Sequence, residues 1–212
     1  LVCDALFTDF DNDGWPDLIL AGEWMPVTFL KNNHGKFANV TAASGVSDKL
    51  GWWNSITGGD FRHTGRTDYV VGNVGLNTLL KASDQYPVYV TAGDFDKNKA
   101  YDAIPSFFIA DQEGGEKKEF PVQGREDLIK QMISLKKKYV NYKSFATATM
   151  DDILSPEQKK IAQKVKANML KSCFLRNDGN GKFKLIPLPI EAQVSALDGM
   201  ETGDFDGDGN LD

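Results

Sequence analysis

Asp9, Asp11, Asp13 and Asp17 stand at positions 1, 3, 5 and 9 of one short segment, with Gly14 at position 6. Asp204, Asp206, Asp208 and Asp212 repeat that spacing, with Gly209 at position 6. Alternating short carboxylates supply oxygen ligands only, which is the chemistry of a hard cation and suits calcium at about 2.3–2.6 Å. The glycine allows the sharp turn that lets successive side chains curl around one centre. A backbone carbonyl at position 7 completes each set, from Trp15 in the first loop and from Asn210 in the last. An EF-hand needs a bidentate Glu at position 12 and flanking helices. Position 12 of the first loop is Leu20, inside an apolar run, so that reading fails. The plainer alternative is a pair of Asp-rich turns, but four like charges converging without a counter-ion repel strongly.

Two degraded copies lie between these loops. In one, Asp94, Asp96, Asn98 and Asp102 keep an oxygen at each ligand position while Lys99 replaces the turn glycine. It is expected to bind calcium more weakly, or to hold a Lys97 or Lys99 ion pair in the cation's place. In the other, running from Asp60 to Asp68, Arg62 and Thr64 replace two ligands. A guanidinium can neutralise Asp60 and Asp68 through forked hydrogen bonds, so this loop is expected to be free of metal. Calcium is thus expected at two or three sites. His63 and His34 read as loop residues rather than ligands.

The elements that position these loops look like strands. The Asp-Phe phrase recurs at steps of 51, 34 and 110 residues. The first is flanked by Leu1 to Phe7 and by the apolar run Asp17 to Gly22, with further strand candidates at Val27–Leu30 and Lys36–Val40. A turn of Asn32-Asn33-His34-Gly35 joins the last two. The pattern returns over Ser172–Leu175 and Lys182–Ile186. Strand, acidic loop, strand, glycine turn and strand make one four-stranded antiparallel sheet, and several in series suggest a propeller. The predicted fold is mainly β, a partial β-propeller of about three to four blades with an α-helical insertion. Its expected division is 1–115 for two blades and the start of a third, 116–171 for the helical insertion, and 172–212 for the end of the third blade and the start of a fourth. Within the insertion, Leu128, Ile129, Met132, Ile133 and Leu135 approach helical spacing. Ser155, Pro156 and Gln158 form a helix start, with Ile161, Val165 and Met169 as the stripe of the helix that follows.

Composition narrows the function. The 212 residues are 41% hydrophobic and 25% charged, with 24 Lys and Arg against 30 Asp and Glu. Residues 116–171 hold 13 basic and 7 acidic side chains, leaving 11 basic and 23 acidic elsewhere. An acidic body favours cations and disfavours nucleic acid. The run Lys136–Lys138 suits either a solvated helix end or a polyanion. No stretch is apolar enough to span a membrane. Cys3 and Cys173 have no metal-type spacing, and read either as two buried thiols or as a pair brought together by folding. No nucleophile elbow, phosphate loop or Cys/His cluster is present, so no catalytic residue is assigned. Trp24, Trp52 and Trp53 lie near Asn54, Asn73 and Asn77, a mixture that suits either a sugar-binding surface or the wedge between blades.

These residues resemble the FG-GAP/VCBS repeat family, the calcium-loop β-propellers that include integrin α-chain heads. The phrases Gly22-Glu23-Trp24-Met25-Pro26, Gly51-Trp52-Trp53-Asn54 and Gly72-Asn73-Val74-Gly75-Leu76-Asn77 look like those of secreted bacterial members, often found beside ASPIC/UnbV-type domains. The resemblance implies structural calcium in the hairpin between the first two strands of a blade. It also implies an extracytoplasmic location, secreted or at the cell surface or outer membrane, and a binding or adhesion role. Family propellers have about seven blades, so the chain reads as part of a larger one whose open sheet edges meet the remaining blades or a second copy. The expected function is a calcium-stabilised, non-enzymatic module recognising a protein or glycan. The alternative is a polysaccharide lyase or hydrolase on the same scaffold.

Overall fold

The computed structural model describes residues 1–110 and 112–212. The chain forms two compact units, one of Leu1–Leu79 with Ala167–Asp212 and the other of Leu80–Lys166.

In the first unit, β1 (Val2–Thr8), β2 (Asp17–Met25), β3 (Thr28–Asn33) and β4 (Lys36–Asn39) form an antiparallel meander. Alternate residues of β2, Asp17, Ile19 and Ala21, are fully buried, the period-two pattern of a strand with one face on a core. The β3–β4 turn carries His34 at φ 53° and Gly35 at φ 90°. Two successive positive φ values define the tight hairpin expected from that turn. A short β5 (Gly51–Trp52) pairs with the far end of β2, Glu23 opposite Trp52.

A second sheet starts with β6 (Ser55–Gly59) and β7 (Asp68–Gly72), then the chain leaves for the second unit. There β8 (Val88–Gly93), β9 (Asp102–Ala110) and β10 (Lys117–Pro121) are antiparallel neighbours. Five short helices follow: α1 (Arg125–Gln131), α2 (Leu135–Lys138), α3 (Tyr142–Ala146), α4 (Met150–Ile153) and α5 (Pro156–Ile161). They close on β11 (Gln163–Ala167), which lies beside β8. On its return the chain adds β12 (Cys173–Gly179) and β13 (Lys182–Pro187), giving the order β13-β12-β7-β6.

The two sheets of the first unit share one core. Ile19, Val27 and Phe29 meet Ile56, Tyr69, Val71, Leu175 and Phe183, and the Phe29 and Phe183 rings stack at 4.3 Å. The second unit has its own core, in which Leu128, Met132, Leu135, Met150 and Ile153 from the helices cover Phe95 and Ile104. These sheets give the mainly β, partial propeller-like architecture, and no described helix is long and apolar enough to cross a membrane.

The sheets divide the chain differently from the sequence reading. Cys173 pairs with Val71 and Leu175 with Tyr69, so 172–187 completes the second sheet rather than a third blade. The inserted unit begins at Leu80 and includes the third acidic loop, whereas the charge pattern marked only 116–171. Pairing across about a hundred residues leaves no trace in local patterning. The helix expected to carry Ile161, Val165 and Met169 also ends at Ile161, and Gln163–Ala167 is a strand. Both ends of the Ser155–Gln158 capping box form, but the alternating Gln-Lys-Val-Lys run after it suits an edge strand as well as a helix. The 125–139 stretch is two helices, with Ile133 exposed at the break. Cys3 is exposed, Cys173 is buried, and both are free thiols.

Candidate metal centres

The four acidic loops share one backbone frame. The first carboxylate accepts the N–H groups of positions 5 and 6. For Asp9 these are Asp13 and Gly14 at 3.0 and 2.8 Å, and for Asp60, Thr64 and Gly65 at 2.8 and 2.7 Å. Asp94 accepts from Asn98 and Lys99 at 2.9 and 3.1 Å, and Asp204 from Asp208 and Gly209 at 3.0 and 3.0 Å. The last carboxylate accepts the N–H of the phenylalanine at position 2 in three loops, from Phe10 to Asp17 at 3.2 Å, Phe95 to Asp102 at 3.1 Å and Phe205 to Asp212 at 2.9 Å. Positions 4 and 6 both have positive φ: Asn12 and Gly14, His63 and Gly65, Lys97 and Lys99, Gly207 and Gly209. The sequence reading found the turn at position 6 and missed the one at position 4, where Asn, His, Lys and Gly share no obvious type.

Phenylalanine at position 2 ties loop to core, a role the sequence reading also missed. Phe10 is 2% exposed and packs edge-on against Phe29 at 5.5 Å and Phe183 at 6.0 Å. Phe95 is buried in the second unit's core, whereas Phe205 is exposed.

In the first loop, carboxylate oxygens of Asp9, Asp11 and Asp17 lie within 4.8 Å of one another. Asp13 stands outside this group, because its Oδ2 accepts from Lys31 Nζ at 2.7 Å and its Oδ1 from the Trp15 N–H at 2.9 Å. Lys31 also donates to Asp11 Oδ2. Asp11 Oδ1 is buried and has no hydrogen-bond partner. Asp17 is fully buried, and burial, reinforced by Asp11 and Asp13, pushes its carboxyl above the ordinary carboxylate range against hydrogen bonds from Asn32 and Phe10. Lys31, by contrast, holds Asp13 below that range. An all-oxygen donor set with an orphaned buried oxygen and a buried acid lacking its own cation fits a hard divalent ion.

The fourth loop brings Asp204, Asp206 and Asp208 within the same 4.8 Å, all exposed. Asp212 closes the loop through its N–H to the Gly203 carbonyl at 2.8 Å. Its donor set also fits a hard cation, with no lysine in it.

The third loop does not gather its acids in this way among the described residues. The Asn98 amide donates to Asp96 at 3.1 Å and its oxygen accepts from the Ala100 N–H at 2.7 Å. Burial raises the Asp102 carboxyl above its ordinary value, with Asp96 and Asp94 adding to the effect. Neither Lys97 nor Lys99 forms an ion pair among the described residues. In the second loop Arg62 grips Asp68 but not Asp60, which accepts from the Thr64 and Gly65 N–H groups and is also held by the Thr64 side chain.

Three loops of the first unit touch in a row. Asn12 donates to the Gly65 carbonyl at 3.0 Å, and His63 Nε2 lies 2.8 Å from Asn210 Oδ1. His34 stands edge-on to Trp15 at 4.6 Å. The tryptophan cluster separates: Trp53 is fully buried in the core, while Trp24 and Trp52 are half-buried with rings 4.9 Å apart. Asn73 is buried and donates to the Met169 carbonyl, Asn54 is half-buried, and Asn77 is exposed.

Residues 9–71 match the family model of the FG-GAP-like repeat, and no curated protein matches the chain. That span opens on the first acid of loop one and runs into β7, so it holds two Asp-Phe corners and the strands between them. Over that span the chain is similar to the FG-GAP-like repeat, within sheets of the partial propeller-like class.

Proposed function

We propose that this chain is a calcium-stabilised binding module that recognises a protein or glycan outside the cytoplasm without catalysis of its own. The observation that carries the reading is the first loop, where Asp9, Asp11 and Asp17 converge and Asp11 Oδ1 is buried with no partner. There Asp9, Asp11, Asp13, Asp17 and the Trp15 carbonyl would hold one calcium. Asp204, Asp206, Asp208, Asp212 and the Asn210 carbonyl would hold another. Asp94, Asp96, Asn98 and Asp102 would form a weaker site, because the Asn98 amide must turn to present its oxygen. The second loop would need no metal, since Arg62 already supplies a charge. Sites of this kind in extracellular modules fill at about 10⁻⁴–10⁻³ M calcium, concentrations found outside cells rather than in the cytoplasm.

Calcium would then act as a staple. It would neutralise loops whose carboxylates otherwise repel, and fix the corners between the first two strands of a sheet. The half-buried Trp24–Trp52 pair, its rings tilted 42° to one another, offers an apolar surface with the exposed amide of Asn77 elsewhere in the same unit, a chemistry suited to stacking and hydroxyl bonding. Against an enzyme stands the placement of the histidines, His34 against Trp15 and His63 against Asn210.

A glycan and protein array probed with the chain in millimolar calcium and again in EDTA tests the reading, followed by assay of any bound glycan for released oligosaccharide. Calcium-dependent capture without product is expected. Product release would replace the binding reading with that of a polysaccharide-cleaving enzyme.

A further inference from the structure

Lys31 sits on β3 opposite Ala38 of β4, and its ammonium reaches back across the first loop. It donates to Asp11 Oδ2 and to Asp13 Oδ2, the carboxylates at positions 3 and 5 of the cage. The loops of the first unit thus meet the same crowding of negative charge in three ways. The second has Arg62, whose planar fork grips Asp68 at two points. The fourth has no lysine or arginine paired with its Asp204, Asp206 and Asp208 carboxylates among the described residues, only the nearby His63. The first has a lysine, a point charge on a flexible stem that makes a less fixed contact than a guanidinium fork.

The lysine serves the cage incompletely. Among the described residues Asp11 Oδ1 stays unpartnered and Asp17, buried, receives only backbone N–H groups. The Lys31 side chain is 28% exposed, so its ammonium can swing to water without crossing the core. A divalent ion at the centre of the loop would engage the acids the ammonium leaves out, but must first break both ammonium contacts.

We propose that Lys31 is the resident cation of the first loop, holding Asp11 and Asp13 while a divalent ion is absent and competing with that ion when it arrives. The two intact loops therefore fill in order, the fourth before the first. This inference rests on the calcium reading above.

Calorimetric calcium titration of the whole chain tests it, with Lys31→Met to keep the aliphatic stem and remove the charge. Asp206→Asn silences the fourth loop so that the first is read above only the weaker third, and Asp11→Asn does the converse. Lys31→Met is expected to tighten the first loop by about tenfold or more, the scale set by losing two charge-assisted contacts, and to leave the fourth unchanged. Lys31→Arg, which keeps the charge, is expected to bind no more tightly than the parent. In EDTA the Lys31→Met chain is expected to melt below the parent, and the gap to close in millimolar calcium. An unchanged first-loop affinity beside a fourth loop that still binds overturns the lysine exchange and leaves the calcium reading standing. So does a melting deficit equal in both solutions. Calcium heat absent from every variant overturns both.

Discussion

Arg62 holds the fully buried Asp68 by two parallel hydrogen bonds, Nε to Oδ2 at 2.7 Å and Nη2 to Oδ1 at 2.8 Å, from the position that an aspartate occupies in the other three acidic loops. The same Nη2 donates to the Asn177 carbonyl at 2.9 Å, and the Asn177 N–H donates to Asp68 Oδ1 at 2.8 Å. One guanidinium thereby joins the β6–β7 corner to β12. Replacing Arg62 by Ala strands a buried carboxylate. The loss should be about 2–3 kcal/mol, below the figure for a fully buried pair because the Arg62 side chain is a third exposed. Urea unfolding of the two chains in EDTA reads this directly, and an unchanged midpoint would count against the pair as a structural clamp.

Phe10 is the hinge between chemistry and core. Its ring lies among Phe29 and Phe183, and its N–H reaches Asp17. Phe10→Ala should cost about 3–5 kcal/mol and weaken calcium binding at the first loop, since the N–H that orients Asp17 loses its anchor. Phe205→Ala, at an exposed ring, should change stability by no more than about 0.5 kcal/mol. Denaturant midpoints for both variants check the contrast.

Lys99 adopts φ 71° where the other loops place glycine. A side chain in this region costs about 1 kcal/mol, with nothing in its ion pairing to offset it. Lys99→Gly should therefore raise the melting temperature. It should also strengthen calcium binding at the third loop, which calorimetry in a chain lacking the first and fourth sites would reveal.

The two cysteines should differ in reactivity and pH response. Burial pushes the Cys173 thiol up to about 12, from an ordinary value of 9.0. The folded thiol keeps its proton in that interval while the unfolded one loses it. Its contribution to stability is thus fully present below about pH 9 and is lost as pH rises towards about 12. In native protein one thiol, Cys3, should be alkylated at pH 8, and both in denaturant. Equal labelling of the two in native protein would contradict the burial of Cys173.

Much of this was legible in the residues. The Asp-Phe repeats, the glycine turns and the alternating runs mark the strands and corners correctly, because each depends on neighbours a few positions apart. The fork of Arg62 on Asp68 follows from two residue types six positions apart. What escaped was long-range. The pairing of β12 with β7 depends on residues about a hundred positions distant, and Lys31 reaches Asp11 and Asp13 only because β3 folds beside β2. Trp53 and Trp52 are adjacent in sequence and differ in burial because Trp52 ends the short strand beside β2 while Trp53, just past it, packs into the shared core of the first unit. The edge strand Gln163–Ala167 has no strong apolar alternation, so a lysine-rich helix fitted its sequence equally well.

Whether the acidic corners bind divalent ions is decided most directly by calorimetric calcium titration of the whole chain with its single-site variants. Two saturable sites are expected, with a weaker third. Asp11→Ala should remove one and Asp206→Ala another, while Arg62→Ala removes none. A chain that takes up no calcium at concentrations to about 10 mM, well above the range of extracellular modules, would contradict the account.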